Sequence, residues 1–196
     1  MGLESRMIVR VCVLAVVVLG IGLPAAAQDV PKGEVSGGYQ FISVKSPGED
    51  AENFPVGWYF DVAGNVTDAV AIVGQFSGNY KTIEDPIDGD FDLKIHPYMV
   101  GIRGSSRRNE KVVPFGQVLV GGVSLKASQG SLSASETDLA VQVGGGVNVM
   151  GNSKVGVRLG VDYLRVFGKS DGELTGGDDA NVFRFVVGVV VPFGMR

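Results

Sequence analysis

Few side chains in this 196-residue chain have the type and spacing to do chemistry. His96 is the single histidine and sits in the segment Ile95-His96-Pro97-Tyr98. General-base catalysis needs a nucleophile and an orienting group within hydrogen-bond reach of the imidazole. No serine neighbours His96 in its own segment, so it reads as an ordinary strand histidine. Asp85, Asp88, Asp90 and Asp92 offer hard oxygen ligands of the kind calcium takes, but their spacing lacks the EF-hand order and its bidentate glutamate. With Glu49, Asp50, Glu52, Asp171, Glu173, Asp178 and Asp179 they read as solvated acidic loops; Arg103, Arg107, Arg108 and Lys111 make a basic turn, of which Arg107, Arg108 and Lys111 read as solvated. The Gly-x-Gly runs open no helix, so they do not form phosphate-binding loops. These residues give no catalytic, cofactor-binding or metal site, and no cofactor is expected. What remains is Arg158, Asp162 and Arg184, three charges on two otherwise small or apolar segments. If those segments bury them, each needs a partner, and an arginine–aspartate network with bidentate geometry is the arrangement expected.

The elements that carry these charges alternate with period two, the mark of strands with two distinct faces. In one, Val155, Val157, Leu159, Val161 and Tyr163 alternate with Gly156, Arg158, Gly160, Asp162 and Leu164. In the other, Phe183, Phe185, Val187, Val189, Val191 and Phe193 oppose Val182, Arg184, Val186, Gly188 and Val190. One face is continuously apolar and the other small and charged. A sandwich hides its apolar face against a second sheet, whereas a membrane barrel turns that face to lipid.

Composition and the N-terminus agree with the barrel. Arg6 and Arg10, the apolar run Val11 to Leu23, Pro24 and Ala25-Ala26-Ala27 follow the order of a cleavable secretory signal. The expected organisation is therefore a signal peptide over residues 1–27 and one domain over residues 28–196. The only cysteine, Cys12, lies in the signal, so the mature chain has no disulfide or thiolate metal site. Loss of Glu4, Arg6 and Arg10 leaves 15 basic and 20 acidic residues, a balance that argues against nucleic acid as a partner. Thirty glycines, far above the roughly 7% average, disfavour helix. No later run reaches eighteen uncharged apolar residues, so the chain is expected to be all-β with no spanning helix.

Eight strands are expected: 33–45, 55–65, 69–82, 91–104, 112–126, 136–149, 155–167 and 181–193. Their connections alternate long and short, as an up-and-down antiparallel barrel requires when its two rims meet different compartments. The long ones fall at 46–54, 83–90, 127–135 and 168–180. The phase of the fourth strand is ambiguous, with Tyr98, Val100 and Ile102 against Leu93, Ile95 and Met99. In the fifth, Val113, Phe115, Leu119, Val123 and Leu125 compete with Val118 and Val120, and a bulge near Gly121-Gly122 would reconcile them. An eight-stranded barrel has room inside only for packed side chains. The expected inward polar set is Glu34, Gln40, Asp61, Gln75, Gln142, Arg158, Asp162 and Arg184, with glycines clearing space. Trp58, Tyr39, Tyr80, Tyr98, Tyr163 and Phe193 are expected outside, as interfacial aromatics.

Taken together, the A-x-A signal, the alternating strands, the acidic long loops, and segments such as Pro55-Val-Gly-Trp-Tyr-Phe-Asp-Val-Ala-Gly-Asn65 resemble OmpA/OmpX-type outer-membrane β-barrels. Gly188, Val191 and Phe193 resemble that group's C-terminal assembly signal, although Gly194-Met195-Arg196 follow and Val186 stands where a polar residue is common. The resemblance implies a bacterial outer-membrane protein with a structural or interaction role or a narrow pore. It also implies lipid, lipopolysaccharide and the barrel assembly machinery as partners. Two alternatives remain: a secreted lipocalin-like barrel with its apolar residues inside, and a lipid-modifying barrel enzyme using His96.

Overall fold

The computed structural model describes residues 30–45, 52–83, 91–109, 111–129, 132–151, 154–168 and 179–195. The described residues form nine strands: β1 (Pro31–Lys45), β2 (Glu52–Phe54), β3 (Val56–Asn65), β4 (Val70–Ile83), β5 (Phe91–Ser105), β6 (Val112–Gln129), β7 (Leu132–Met150), β8 (Gly156–Phe167) and β9 (Ala180–Met195). All neighbours pair antiparallel in chain order, and β1 also pairs with β9 from Pro31↔Met195 to Lys45↔Asn181. The sheet is thus a closed eight-strand barrel without a free edge. β2 is not a ninth stave. It pairs with the outer end of β1, Ile42↔Phe54 to Val44↔Glu52, and continues β3 beyond Pro55. Proline has no amide hydrogen to give the ladder, so the stave breaks there.

The faces separate as the alternation demands. β3 reads exposed, buried, exposed, buried along its length, with Val56, Trp58, Phe60 and Val62 outside and Tyr59, Asp61 and Ala63 inside. On β8 and β9, Val157, Leu159, Val161, Phe185, Val187, Val189 and Val191 are all outside. All six predicted interfacial aromatics are outside too. This inside-out distribution is opposite to what a lipocalin-like barrel needs. From Val112 to Gly122 the apolar outer band of β6 spans ten residue steps, about 26 Å at a rise of ~3.4 Å and a tilt of ~40°. That matches the roughly 25 Å band of a membrane barrel.

Three details differ from expectation. The predicted loop 127–135 is mostly strand, since β6 and β7 stay paired out to Gln129↔Leu132. The hairpin continues the ladder above the band instead of opening into a loop, because backbone hydrogen bonds extend the register fixed below whatever the side chains. Second, β6 has no bulge at Gly121-Gly122: its pairing with β5 and with β7 runs one-to-one through both glycines. Odd residues face inward throughout, so Val113, Phe115, Leu119 and Val123 belong to the lumen and Val118 and Val120 to the outside. Third, β5 places Ile95, Pro97, Met99 and Arg103 inward and Tyr98, Val100 and Ile102 outward, and its pairing with β4 is interrupted opposite Pro97.

Candidate functional site

The barrel's chemistry is concentrated in its lumen. Glu34, Gln40, Asp61, Gln75, Gln142, Arg158, Asp162 and Arg184 are all buried there, as their strand phase requires. Arg158 donates to Asn148 (2.8 Å), to Ser36 Oγ (2.9 Å), to both oxygens of Asp61 (3.0 and 2.8 Å) and to Glu34 Oε1 (2.6 Å). Arg184 reaches its cross-strand partner Asp162 through Nε (3.0 Å) and Nη2 (2.5 Å). Arg158 therefore pairs across the lumen with Asp61 and Glu34, not with Asp162 on its own strand.

The residue missed in the sequence is Arg103. It belongs to β5 rather than to the basic turn, and it is 1% exposed. Its guanidinium donates to Glu34 Oε1 (2.7 Å), to Asp61 Oδ2 (3.1 Å) and twice to Gln117 Oε1 (3.0 and 2.8 Å). Gln117 in turn donates to Asp162 (3.0 Å), which joins the two groups of charges into one network. Arg103, Arg158 and Arg184 are balanced by Glu34, Asp61 and Asp162, so the network is neutral. Arg107 is not fully solvated either: it extends the cluster to Glu34 Oε2 at 3.7 Å and to Asn65.

Phe115 lies beside the two central cations. The guanidinium carbons of Arg103 and Arg158 lie 4.9 and 4.8 Å from the centre of its ring. Such contacts offset part of the like-charge repulsion once water is excluded. Glycine provides the space. A Cβ on Gly144 would lie 2.0 Å from Asp162 Oδ1, and one on Gly57 would lie 2.2 Å from the Asn79 amide. Arginine and aspartate at these depths are tolerated only because every charge meets an opposite one.

A family comparison bears on this architecture directly. The sequence profile of the outer membrane protein beta-barrel domain family matches residues 13–193. The chain belongs to that family. It is a bacterial outer-membrane β-barrel protein. No curated protein sequence matches it.

Among solved structures, this barrel is similar to Neisserial surface protein A, with a TM-score of 0.69, 12% identity, and 83% of this chain and 97% of that one covered. It is similar to Ail, the attachment invasion locus protein of Yersinia pestis, with a TM-score of 0.60, 20% identity and coverage of 84% and 99%. It is also similar to OprG from Pseudomonas aeruginosa, with a TM-score of 0.55, 12% identity and coverage of 86% and 98%. At such identities the likeness concerns the fold.

His96 sits on the outer face of this outer-membrane barrel. Its Nε2 is 3.5 Å from the Tyr80 hydroxyl, which also accepts from Trp58 Nε1 at 3.2 Å. Phe76 stacks on the imidazole with ring centroids 6.3 Å apart. A serine does lie across the ladder, since His96 pairs with Ser124. Among the described residues, however, no hydrogen bond joins them, and the imidazole nitrogen is directed to Tyr80. Glu52 and Asp179 are in ion pairs, with Lys81 and Arg165 at 2.7 Å each, and Asp92 is exposed on β5. Glu49, Asp50, Asp85, Asp88, Asp90, Asp171, Glu173, Asp178 and the predicted signal lie outside the described residues. Among the described residues, no group of three or more His, Cys, Asp or Glu side chains has the geometry to hold a metal ion.

Proposed function

We propose that this outer-membrane barrel is a sealed, non-catalytic envelope protein that acts structurally and through its external rim, rather than as a pore. One observation carries the reading: the neutral network of Glu34, Asp61, Asp162, Arg103, Arg158 and Arg184, joined by Gln117, crosses the lumen. An ion would have to break several charge-assisted bonds to pass it. The proposal includes cleavage of residues 1–27 on export, folding by the barrel assembly machinery through the C-terminal strand, and contact of the aromatic outer face with lipid and lipopolysaccharide. The β6–β7 hairpin, whose arms run past the apolar band, is the natural place for a protein partner to meet the barrel. The orientation of His96 towards Tyr80 supports a non-catalytic role.

The test is conductance in planar bilayers. The refolded protein should give no discrete channel events, and Arg103→Ala combined with Arg158→Ala should open measurable ones. Steady conductance by the unaltered protein would refute the sealed reading.

A further inference from the structure

The lumen is not polar throughout. On the side of the long connections, Ile42, Ile95, Leu125, Leu164, Val166 and Val182 face inward and line a cavity of about 60 Å³. A water needs only about 10–15 Å³ on the same scale, so the space exceeds a single solvent site. The cavity's polar border is formed by Gln40, Asn79, Gln142 and Arg184. Three of these are occupied: Gln40 Nε2 donates to Asn79 Oδ1, the Asn79 amide donates to the Val56 carbonyl at 3.4 Å, and Arg184 holds Asp162. Gln142 differs. It is 1% exposed, and its Nε2 has no hydrogen-bond partner among the described residues. A buried donor left unsatisfied costs free energy that a bound acceptor would recover.

From the apolar wall and this unmatched amide we infer a binding site for a small uncharged molecule with an apolar body and one terminal hydrogen-bond acceptor. A short aliphatic ketone or ester is the chemical class. The body lies against Ile42, Leu125, Leu164 and Val182, and the acceptor meets Gln142 Nε2. An uncharged head is favoured because Arg184 is already neutralised by Asp162. A carboxylate would add a second anion beside Asp162, and Asp138, cross-strand partner of the cavity residue Val123, is buried close by. The network below the cavity makes the site a dead end, so this inference builds on the sealed reading, yet the two fail separately: conductance tests the seal and the following titration tests the site.

The experiment uses the full mature chain refolded in phosphatidylcholine nanodiscs, with 2-butanone and n-butane as probes, sized to the cavity, and the side-chain amide of Gln142 as the reporter in ¹⁵N–¹H spectra. The ketone should shift the Gln142 amide saturably, together with the methyls of Leu164 and Val182. The alkane should bind about tenfold more weakly, the factor a neutral hydrogen bond gives. Leu164→Trp should abolish saturation while the barrel still migrates as folded on a heat-modifiability gel. If that variant does not fold, Gln142→Leu decides: it should remove the tenfold preference for the ketone. Shifts that grow linearly with probe and match those of the lipid-facing Val157 and Val189 methyls would overturn the proposal. So would saturable binding that leaves the Gln142 amide unmoved, because a bridging water would then account for that donor.

Discussion

Replacing Arg158 by methionine tests the central network most directly. The side chain is 1% exposed and donates to Asn148, Ser36, Asp61 and Glu34, with Phe115 beside it. Methionine keeps the length and apolar bulk and removes the charge and all the donors. Glu34 and Asp61 would then keep Arg103 as their one fully buried cation, with the partly exposed Arg107 3.7 Å from Glu34, and the buried network would carry one uncompensated negative charge. Breaking a buried pair from one side costs about 3–5 kcal/mol. Urea titration in lipid vesicles can read this loss, because Trp58 is the only tryptophan and lies on the outer face. With a slope of roughly 1–3 kcal/mol per molar urea, the midpoint should fall by about 2 M. Adding Glu34→Gln restores neutrality, so the double variant should recover part of the loss, with a coupling of at least ~1.5 kcal/mol. Arg158→Lys should fall between, as it keeps the charge without the planar fork. A midpoint shift below ~0.5 M for Arg158→Met, or strictly additive effects in the double variant, would refute the reasoning.

Two further outcomes follow from single positions. Gly144→Val sets a Cβ 2.0 Å from Asp162 Oδ1 and 2.7 Å from the Asp162 Cα, so the backbone of β8 must yield. A loss of at least ~1–3 kcal/mol is expected in the same urea assay, and an unchanged midpoint would mean that Gly144 clears no essential space. His96→Ala should leave lipid A and phospholipid profiles unchanged in the expressing cell, with stability altered by no more than about 1 kcal/mol from the lost Phe76 and Tyr80 ring contacts. Any product that disappears with His96 would revive the enzyme reading.

Much of this was legible in the chain because period-two alternation assigns each residue to one face once a strand's phase is known. Asp61 alternates cleanly with Phe60 and Val62, and Arg158 with Val157 and Leu159, so their burial could be read in advance. β5 and β6 defeated the method for a physical reason. Their inward residues Ile95, Met99, Leu119 and Val123 are as apolar as their outward Tyr98, Val100, Val118 and Val120, so hydrophobicity gives no contrast between faces. Arg103 was lost with that phase: followed by Gly104, Ser105 and Ser106 and close to Arg107 and Arg108, it looked like part of a turn. Its parity with Met99, opposite to that of Val100 and Ile102, was the available signal. The apolar cavity was hidden for a different reason: Ile42, Leu164, Val166 and Val182 stand at the outer ends of inward faces that are small or charged lower in the barrel.

That blindness extends to register, and here the buried charges add something hydrophobicity cannot. A one-residue slip of β8 against β9 would turn every lipid-facing valine inward and is strongly disfavoured. A two-residue slip keeps all apolar side chains in lipid and costs almost nothing by that measure. It does move Asp162 from its partner Arg184 to Val182 or Val186, and so strands a buried charge at a cost of about 3–5 kcal/mol. The ion pairs therefore select one register among those the alternation permits. Cysteine trapping checks this, because the mature chain is expected to lack any thiol of its own. With the charges intact, Val157→Cys should cross-link with Val189→Cys, its ladder partner, and not with Val187→Cys. After Asp162→Leu and Arg184→Leu the Val157–Val187 pair should cross-link as well. If it does not, closure of the barrel or the turns alone set the register, and the charges serve only to fill and seal the lumen.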